Sequence, residues 1–378
     1  MAALRCSSPS TPGRRSRRSA RRTTQPPCPP RWQTFRAWRK CWSAPSDPER
    51  SAGQALVPDE TLAQTSAPGK LVLSGEYAVL AGAPAVVAAI DRRVACRIDA
   101  REAGGWAFRS RGFDAASRHR RDALPDVPGD PGALAGYAIR RLDIQAATLP
   151  EHLGIETDSR PCYHDGAKLG LGSSAAAVVA IAGAMARIAG TVCTLPQSLA
   201  IHRDLQGGSG SGLDVAAAFR GGVIRYQAGE ARSMPWSSSI RSVFVYVGWS
   251  TETRDFVQRF NDWRRDGEPS ALRRLVECAK TVAEGGGSFL DALAEYADAL
   301  DALDRAAGIG IFSEAHRAAM KLGRRHHVLY KPCGAGGGDM GVALSEDVDA
   351  LGAFRTAVTQ AGLHVVSAAI DPDGLSVS

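Results

Sequence analysis

Apolar residues along the chain fall into short runs bounded by glycine, proline and charge, and into longer runs that persist through several helical turns. Short runs at 71–73, 84–90 and 94–98 predict three strands. Residues 101–130, rich in Arg, Asp and Gly, read as an exposed excursion, and 132–142 predicts a helix. From 174 to 188 the chain is apolar nearly all round, which predicts a helix buried on most sides. A strand at 223–226 follows Gly221-Gly222, and a Ser/Pro-rich join at 233–239 marks a boundary. Beyond it the pattern predicts a strand at 242–247, helices near 253–264, 270–283, 289–306 and 313–322, and strands at 327–331, 341–344 and 363–369. Strand and helix interleave, so the expected class is a two-domain α+β fold, and no internal repeat is visible.

Charge changes this picture only at one end. Residues 1–50 hold twelve cations, eleven of them Arg, against Asp47 and Glu49, a local +10 that leaves −3 on the rest of a chain whose total is +7. A nucleic-acid reading would therefore rest wholly on the tail. That tail has few aliphatics and cannot bury enough surface to fold alone. Residues 1–60 are expected to be a basic, disordered and dispensable extension, with a basic arm or an organellar targeting segment as the functional alternatives. Its arginine pairs precede no apolar h-region, and no run of eighteen apolar residues occurs, so neither a secretory signal nor a membrane span is expected. Eight cysteines without a Cys-x-x-Cys and eight histidines without an HExxH give neither a zinc site nor a disulfide framework, which suggests a reducing cytoplasm. The pair His326-His327 reads as a partly exposed loop.

The candidate chemistry lies in glycine. Lys168-Leu169-Gly170-Leu171-Gly172-Ser173-Ser174-Ala175 runs straight into the apolar helix, a construction that lets backbone approach an anion at a helix N-terminus. Taken alone the loop fits a loose dinucleotide pattern, a phosphate loop or a plain glycine turn. The dinucleotide reading lacks a preceding buried strand and an acid about twenty residues on, and no Gly-Lys-Ser/Thr closes a Walker loop. Two further loops, Gly207 to Asp214 and Gly334 to Gly341, repeat the backbone-exposing character, and Ala67-Pro68-Gly69-Lys70 places a lysine at the start of a strand. Three such loops are costly in unfolded-state entropy unless backbone must meet a ligand closely.

Together these pieces resemble the GHMP kinase superfamily: APGKLVLSGEYAVLAGAPA is similar to its first motif, KLGLGSSAAAVVA to its second and KPCGAGGGDMGVAL to its third, in family order over residues 62–378. Within it, GEYAVL, the stretch HRDLQGGSGSGLDVAAAFRGGVIRY, GWSTETRDFV and the lysine ahead of GAGGGDMG are similar to the phosphomevalonate kinase branch. The resemblance implies a ribosomal-protein-S5-like N-terminal domain over 61–238, a ferredoxin-like C-terminal domain over 239–378 and an active site between them. It implies a small-molecule kinase, with Lys70 and Asp214 catalytic, and Lys168, Gly170, Leu171, Gly172, Ser173, Ser174 and Ala175 on ATP. Ser174 would reach Mg²⁺. Glu76, Tyr77, Ser211, Gly212, Lys331, Gly334, Ala335, Gly336 and Gly337 would line the acceptor. The implied partners are ATP, Mg²⁺ and a small acceptor, phosphomevalonate or alternatively mevalonate or another alcohol. Nucleic acid and membrane are not implied, and the chain would be a monomer or homodimer. Further cations for a phosphorylated acceptor would come from His202, Arg203, Arg225 and Lys331. Mevalonate kinases carry a metal-binding glutamate eleven residues before the catalytic aspartate, where this chain has Arg203. Simple roles remain open beside these: either serine as a helix N-cap, Asp214 as a cap, Lys70 as a surface lysine.

Overall fold

Alternation along the strands sets the architecture of the computed structural model, which describes residues 60–378 apart from 128, 209, 249–252, 266, 268 and 286. The basic extension assigned to 1–60 thus lies, except for Glu60, outside the described residues. Strand β1 (Thr61–Ser74) buries Leu71 and Leu73 on one face and Val72 on the other, and it pairs antiparallel with β2 (Ala85–Ala100). Around them stand β3 (Trp106–Arg111), β4 (Ala115–His119) and β5 (Leu153–Asp158), giving the order β4-β3-β5-β2-β1. The pair β3–β5 is parallel. Helix α1 (Pro131–Arg141) starts on Asp130, whose side chain accepts from Gly132 N and so caps the first turn.

A two-stranded hairpin, β6 (Tyr163–His164) and β7 (Ala167–Lys168), leads into α2 (Ser173–Ile188). Thirteen of the sixteen α2 residues are buried, mostly alanines that let the helix lie close on β1 and β2. Helices α3 (Leu195–Leu205) and α4 (Leu213–Arg220) complete this layer, followed by β8 (Val223–Gln227) and β9 (Glu230–Met234). Strand β8 pairs with the first half of β2 (Ala85–Ala88), while β5 pairs with its second half (Ala95–Ala100).

The second sheet begins at β10 (Arg241–Tyr246), continues through α5 (Thr253–Trp263), α6 (Ser270–Glu284), α7 (Phe289–Ala307) and α8 (Glu314–Arg325), and closes with β11 (Leu329–Pro332), β12 (Met340–Ser345), α9 (Val348–Gln360) and β13 (His364–Val366). Its order β11-β12-β10-β13 is the ferredoxin-like arrangement, with the first crossover enlarged to four helices. Val243 and Val245 face α8 and α9, whereas Phe244 and Tyr246 face a core shared with Leu71, Leu73, Val86 and Ile90 of the first sheet. The final residues return to the first sheet, where β14 (Ser376–Val377) pairs with β1. Among the described residues no helix is long and apolar enough to cross a membrane, and the described cysteines are free thiols.

Several local expectations are corrected. The separate strands expected at 84–90 and 94–98 are one strand, β2, joined through a bulge at Asp91-Arg92-Arg93, where the register with β1 steps from Gly69–Ile90 to Ala67–Val94 and the polar side chains find partners. Arg93 pairs with Asp371 at 2.5 Å and donates to Ser66 and Gly374, and Arg92 donates to the Ser367 carbonyl. The excursion at 101–130 carries β3 and β4, with Trp106 fully buried and its indole N–H donating to Pro150 O at 3.0 Å. The join at 233–239 overlaps the end of β9, and α3, α9 and β5 are additions.

Candidate active site

The phosphate-loop candidate is held in a shape that other residues resist. Gly170 and Gly172 have φ of +73° and +72°, and Gly172 is the N-cap of α2, so no side chain closes that helix end. Ala175 N and Ala176 N both return to Gly172 O. The N–H groups of Ser173 and Ser174, like those of any first helical turn, have no helical carbonyl to meet. A Cβ on Gly172 would lie 3.1 Å from Lys70 Cγ and Cε and 3.4 Å from Asp214 Oδ2. On the other side, a Cβ on Gly170 would lie 2.7 Å from the Asp339 side chain. The loop is therefore a cradle walled by a lysine and two carboxylates, the shape and polarity that a phosphate chain with a cation would need.

Lys70 reaches this point because β1 runs directly beneath the loop: Lys70 N donates to Leu171 O at 2.8 Å. Its ammonium stands 3.5 Å from Asp214 Oδ1, with side-chain exposures of 12% and 33%. Asp214 lies in the first turn of α4, after the N-cap Gly212, whose φ is +83°. Ser211 is exposed, and its carbonyl accepts from Tyr226 OH at 2.5 Å. The Tyr226 phenol is raised by burial, while Arg203 pulls it down and Asp214 pushes it up, so both charges act on this rim. His202, next to Arg203 on α3, is buried; burial lowers its imidazole and Asp214 opposes that shift. Arg225 is half-buried and donates to Gln227 Oε1. Lys168 is exposed and stands over the Phe113 ring at 4.7 Å, with Asp339 acting on its ammonium.

Three of the residues expected on the acceptor side, Glu76, Tyr77 and Lys331, are buried. Lys331 and Glu76 form an ion pair at 2.6 Å with side-chain exposures of 0% and 2%, and Tyr296 OH donates to the other Glu76 oxygen at 2.8 Å. Lys331 is fully buried, and its ammonium is spent on Glu76. Tyr77, also buried, has φ +61° and donates to Ala335 O at 2.5 Å, so it touches the glycine-rich loop rather than an open pocket. Gly334, Gly336 and Gly337 all have positive φ, and Gly337 N donates to Ile311 O at 2.7 Å. His316 fixes the far end of this loop: its Nε2 meets Gly338 O at 3.0 Å and its Nδ1 meets Tyr330 OH at 2.9 Å. A carbonyl can only accept, so Nε2 carries the proton and Nδ1 accepts from the phenol.

The structure brings Lys70, the Gly170–Ser174 loop and Asp214 together and leaves the Glu76–Lys331 pair as buried support. It adds Asp339, whose signal was the acid closing the third glycine run, and Tyr296, 220 residues from Glu76 and without a sequence signal.

The family model described as GHMP kinases N terminal domain matches residues 137–222, which include the glycine loop and Asp214. A phosphomevalonate kinase of Streptomyces sp. (strain CL190) is 31% identical over 331 residues, covering 74% of this chain and 88% of the relative. A mevalonate kinase of Thermococcus gammatolerans is 27% identical over 337 residues, covering 82% of this chain and 97% of the relative. Among solved structures, the Streptococcus pneumoniae phosphomevalonate kinase in complex with phosphomevalonate and AMPPNP matches with a TM-score of 0.64 at 18% identity, covering 81% of this chain and 99% of that one.

Proposed function

The chain belongs to the GHMP kinases, and from that premise we propose that it transfers the γ-phosphoryl group of ATP to phosphomevalonate, a step of the mevalonate pathway toward isoprenoid precursors. As a member of that family it is a phosphotransferase that uses ATP. The finer reading, the acceptor, is supported by Arg203, an exposed cation on α3 where mevalonate kinases would carry an acid, which suits an acceptor that already bears a phosphate. The 31%-identical phosphomevalonate kinase supports the same choice.

In this reading the loop from Gly170 to Ser174 receives the ATP phosphates on its backbone N–H groups, helped by the α2 dipole. Lys70 sits where donor and acceptor meet and neutralises the transferring group. Asp214, held by Lys70 at 3.5 Å, orients and balances charge. A phosphate acceptor needs no general base, since its second pKa of about 6 leaves it mostly dianionic at neutral pH. When bound, Mg²⁺ would neutralise charge on the transferring phosphates, and the Ser174 hydroxyl, with the Asp214 and Asp339 carboxylates walling the loop, would offer it oxygen donors. Gly334, Ala335, Gly336 and Gly337 border the acceptor.

A second reading keeps the chemistry and takes mevalonate. It is favoured by the mevalonate kinase relative and by the partial exposure of Asp214, which could receive a hydroxyl proton. ADP release measured against phosphomevalonate, mevalonate, homoserine and sugars separates the two. Turnover with phosphomevalonate is expected, and turnover confined to mevalonate removes the first reading.

A further inference from the structure

Helix α7 ends in two buried acids, Asp301 and Asp304, in its last two turns, where the helix dipole and desolvation both oppose a carboxylate. Asp301 is accounted for by ion pairs to Arg305 and, at 3.0 Å, to Arg317. Asp304, 4% exposed, has Arg317 only at 3.6 Å and spends its oxygens otherwise. Oδ1 accepts from Gly310 N at 2.7 Å and Ile311 N at 2.8 Å, and Oδ2 accepts from Phe312 N at 2.9 Å. The carboxylate thus gathers the backbone that leaves the helix after its αL cap, Gly308.

What that backbone carries is the third glycine loop. Ile311 O accepts from Gly337 N at 2.7 Å, and a Cβ on Gly336 would come within 2.7 Å of the Ile311 backbone. A second route leads to the same place. Tyr77 OH holds Ala335 O, and that phenol is raised by burial first and then by Asp304. A local rule broken this plainly, at a point linked to the loop through Ile311 and again through Tyr77, indicates a tertiary demand rather than helix stability.

We propose that Asp304 is a positioning residue for the glycine loop at 334–338, setting through Ile311 and Gly336-Gly337 the height at which that loop meets the acceptor. The proposal rests on the reading that this loop borders the acceptor. A displacement of about 1 Å at a reacting centre costs about 100-fold. Asp304→Asn puts an amide donor against at least one of the three N–H groups. It is therefore expected to lower kcat/KM for the acceptor by about 100-fold, with ATP KM within about threefold of wild type.

The test is a double-mutant cycle with Gly336→Ala, run with the acceptor that wild-type enzyme turns over. If Asp304 acts through Gly336, the double variant loses little beyond the larger single loss. Additive losses, an equal loss on ATP KM, or wild-type kinetics overturn the proposal. Should Asp304→Asn not fold, as judged by circular dichroism, Asp304→Glu keeps the charge, shifts it by one methylene and enters the same cycle. If wild type turns over mevalonate but not phosphomevalonate, the acceptor assignment falls alone and the cycle proceeds with mevalonate.

Discussion

Replacing Lys331 by Met separates the two roles open to this lysine. Its ammonium is 2.6 Å from Glu76 Oε1, neither side chain is more than 2% exposed, and the remaining Glu76 oxygen has Tyr296 OH at 2.8 Å. Burial pulls the ammonium down, but Cys333 and the Glu76 carboxylate outweigh it and the net shift is upward. The pair's contribution is therefore present below the ordinary lysine value of 10.5 and is lost only as pH rises past the raised one, far above working pH. Removing one partner leaves a buried carboxylate with a phenol and no cation, at a cost of about 3–5 kcal/mol, or roughly 5–10 °C in Tm for a domain of this size. Neutralising both, in Lys331→Met with Glu76→Gln, should recover most of that loss, since a neutral buried pair carries no desolvated charge. Urea unfolding of the two single variants and the double measures the coupling, with an unchanged slope as the control that the unfolded state is the same. An unchanged Lys331→Met midpoint joined to a raised acceptor KM would refute the reasoning and return Lys331 to the acceptor.

Lys70→Met and Asp214→Asn should each lower kcat by about 100-fold or more while raising ATP KM far less; near-normal turnover in steady-state assays would remove both from the reaction. Gly172→Ala should lower kcat/KM for ATP by at least about tenfold, because an L-residue in this left-handed conformation costs about 1–2 kcal/mol and its Cβ displaces Lys70. Wild-type kinetics in that variant would mean the loop does not meet the nucleotide. His316 is lowered to about 4 by burial, against the opposing Gly338 carbonyl, so the folded state refuses a proton that the unfolded chain takes below 6.5. Its contribution should fall by about 2 kcal/mol between pH 7 and pH 5. Urea midpoints at the two pH values should show a flatter dependence in His316→Gln, and an equal slope in both proteins would contradict a buried neutral imidazole.

The parts of the fold legible in the sequence are those whose cause is local. The apolar run at 174–188 could bury itself only as a central helix, and Gly170 and Gly172 announce a backbone conformation whatever surrounds them. What local pattern could not supply is the partner of a charge. Asp91-Arg92-Arg93 looks like a break in a strand until Asp371 and the carbonyls at Ser367 and Gly374 come back from about 280 residues away to satisfy it, and β2 continues past it through a bulge. Short alternating strands among arginines, β3 and β4, read as loop because half their residues face water; the fully buried Trp106 was the clue to the other half. The same physics divides the site. That Lys70 and Asp214 come together beside the loop was legible because each lies just after a glycine, whereas the partner of Lys331, Glu76, stands 255 positions earlier and no local pattern announces it. Asp339 and Asp304 differ from Asp214 in the same way: their roles are set by Gly170 and by residues 310–312, groups that a one-dimensional pattern does not bring beside them. A charged residue beside a glycine motif is thus weak ground for a ligand contact until its burial is known, because burial demands a partner and that partner uses the charge.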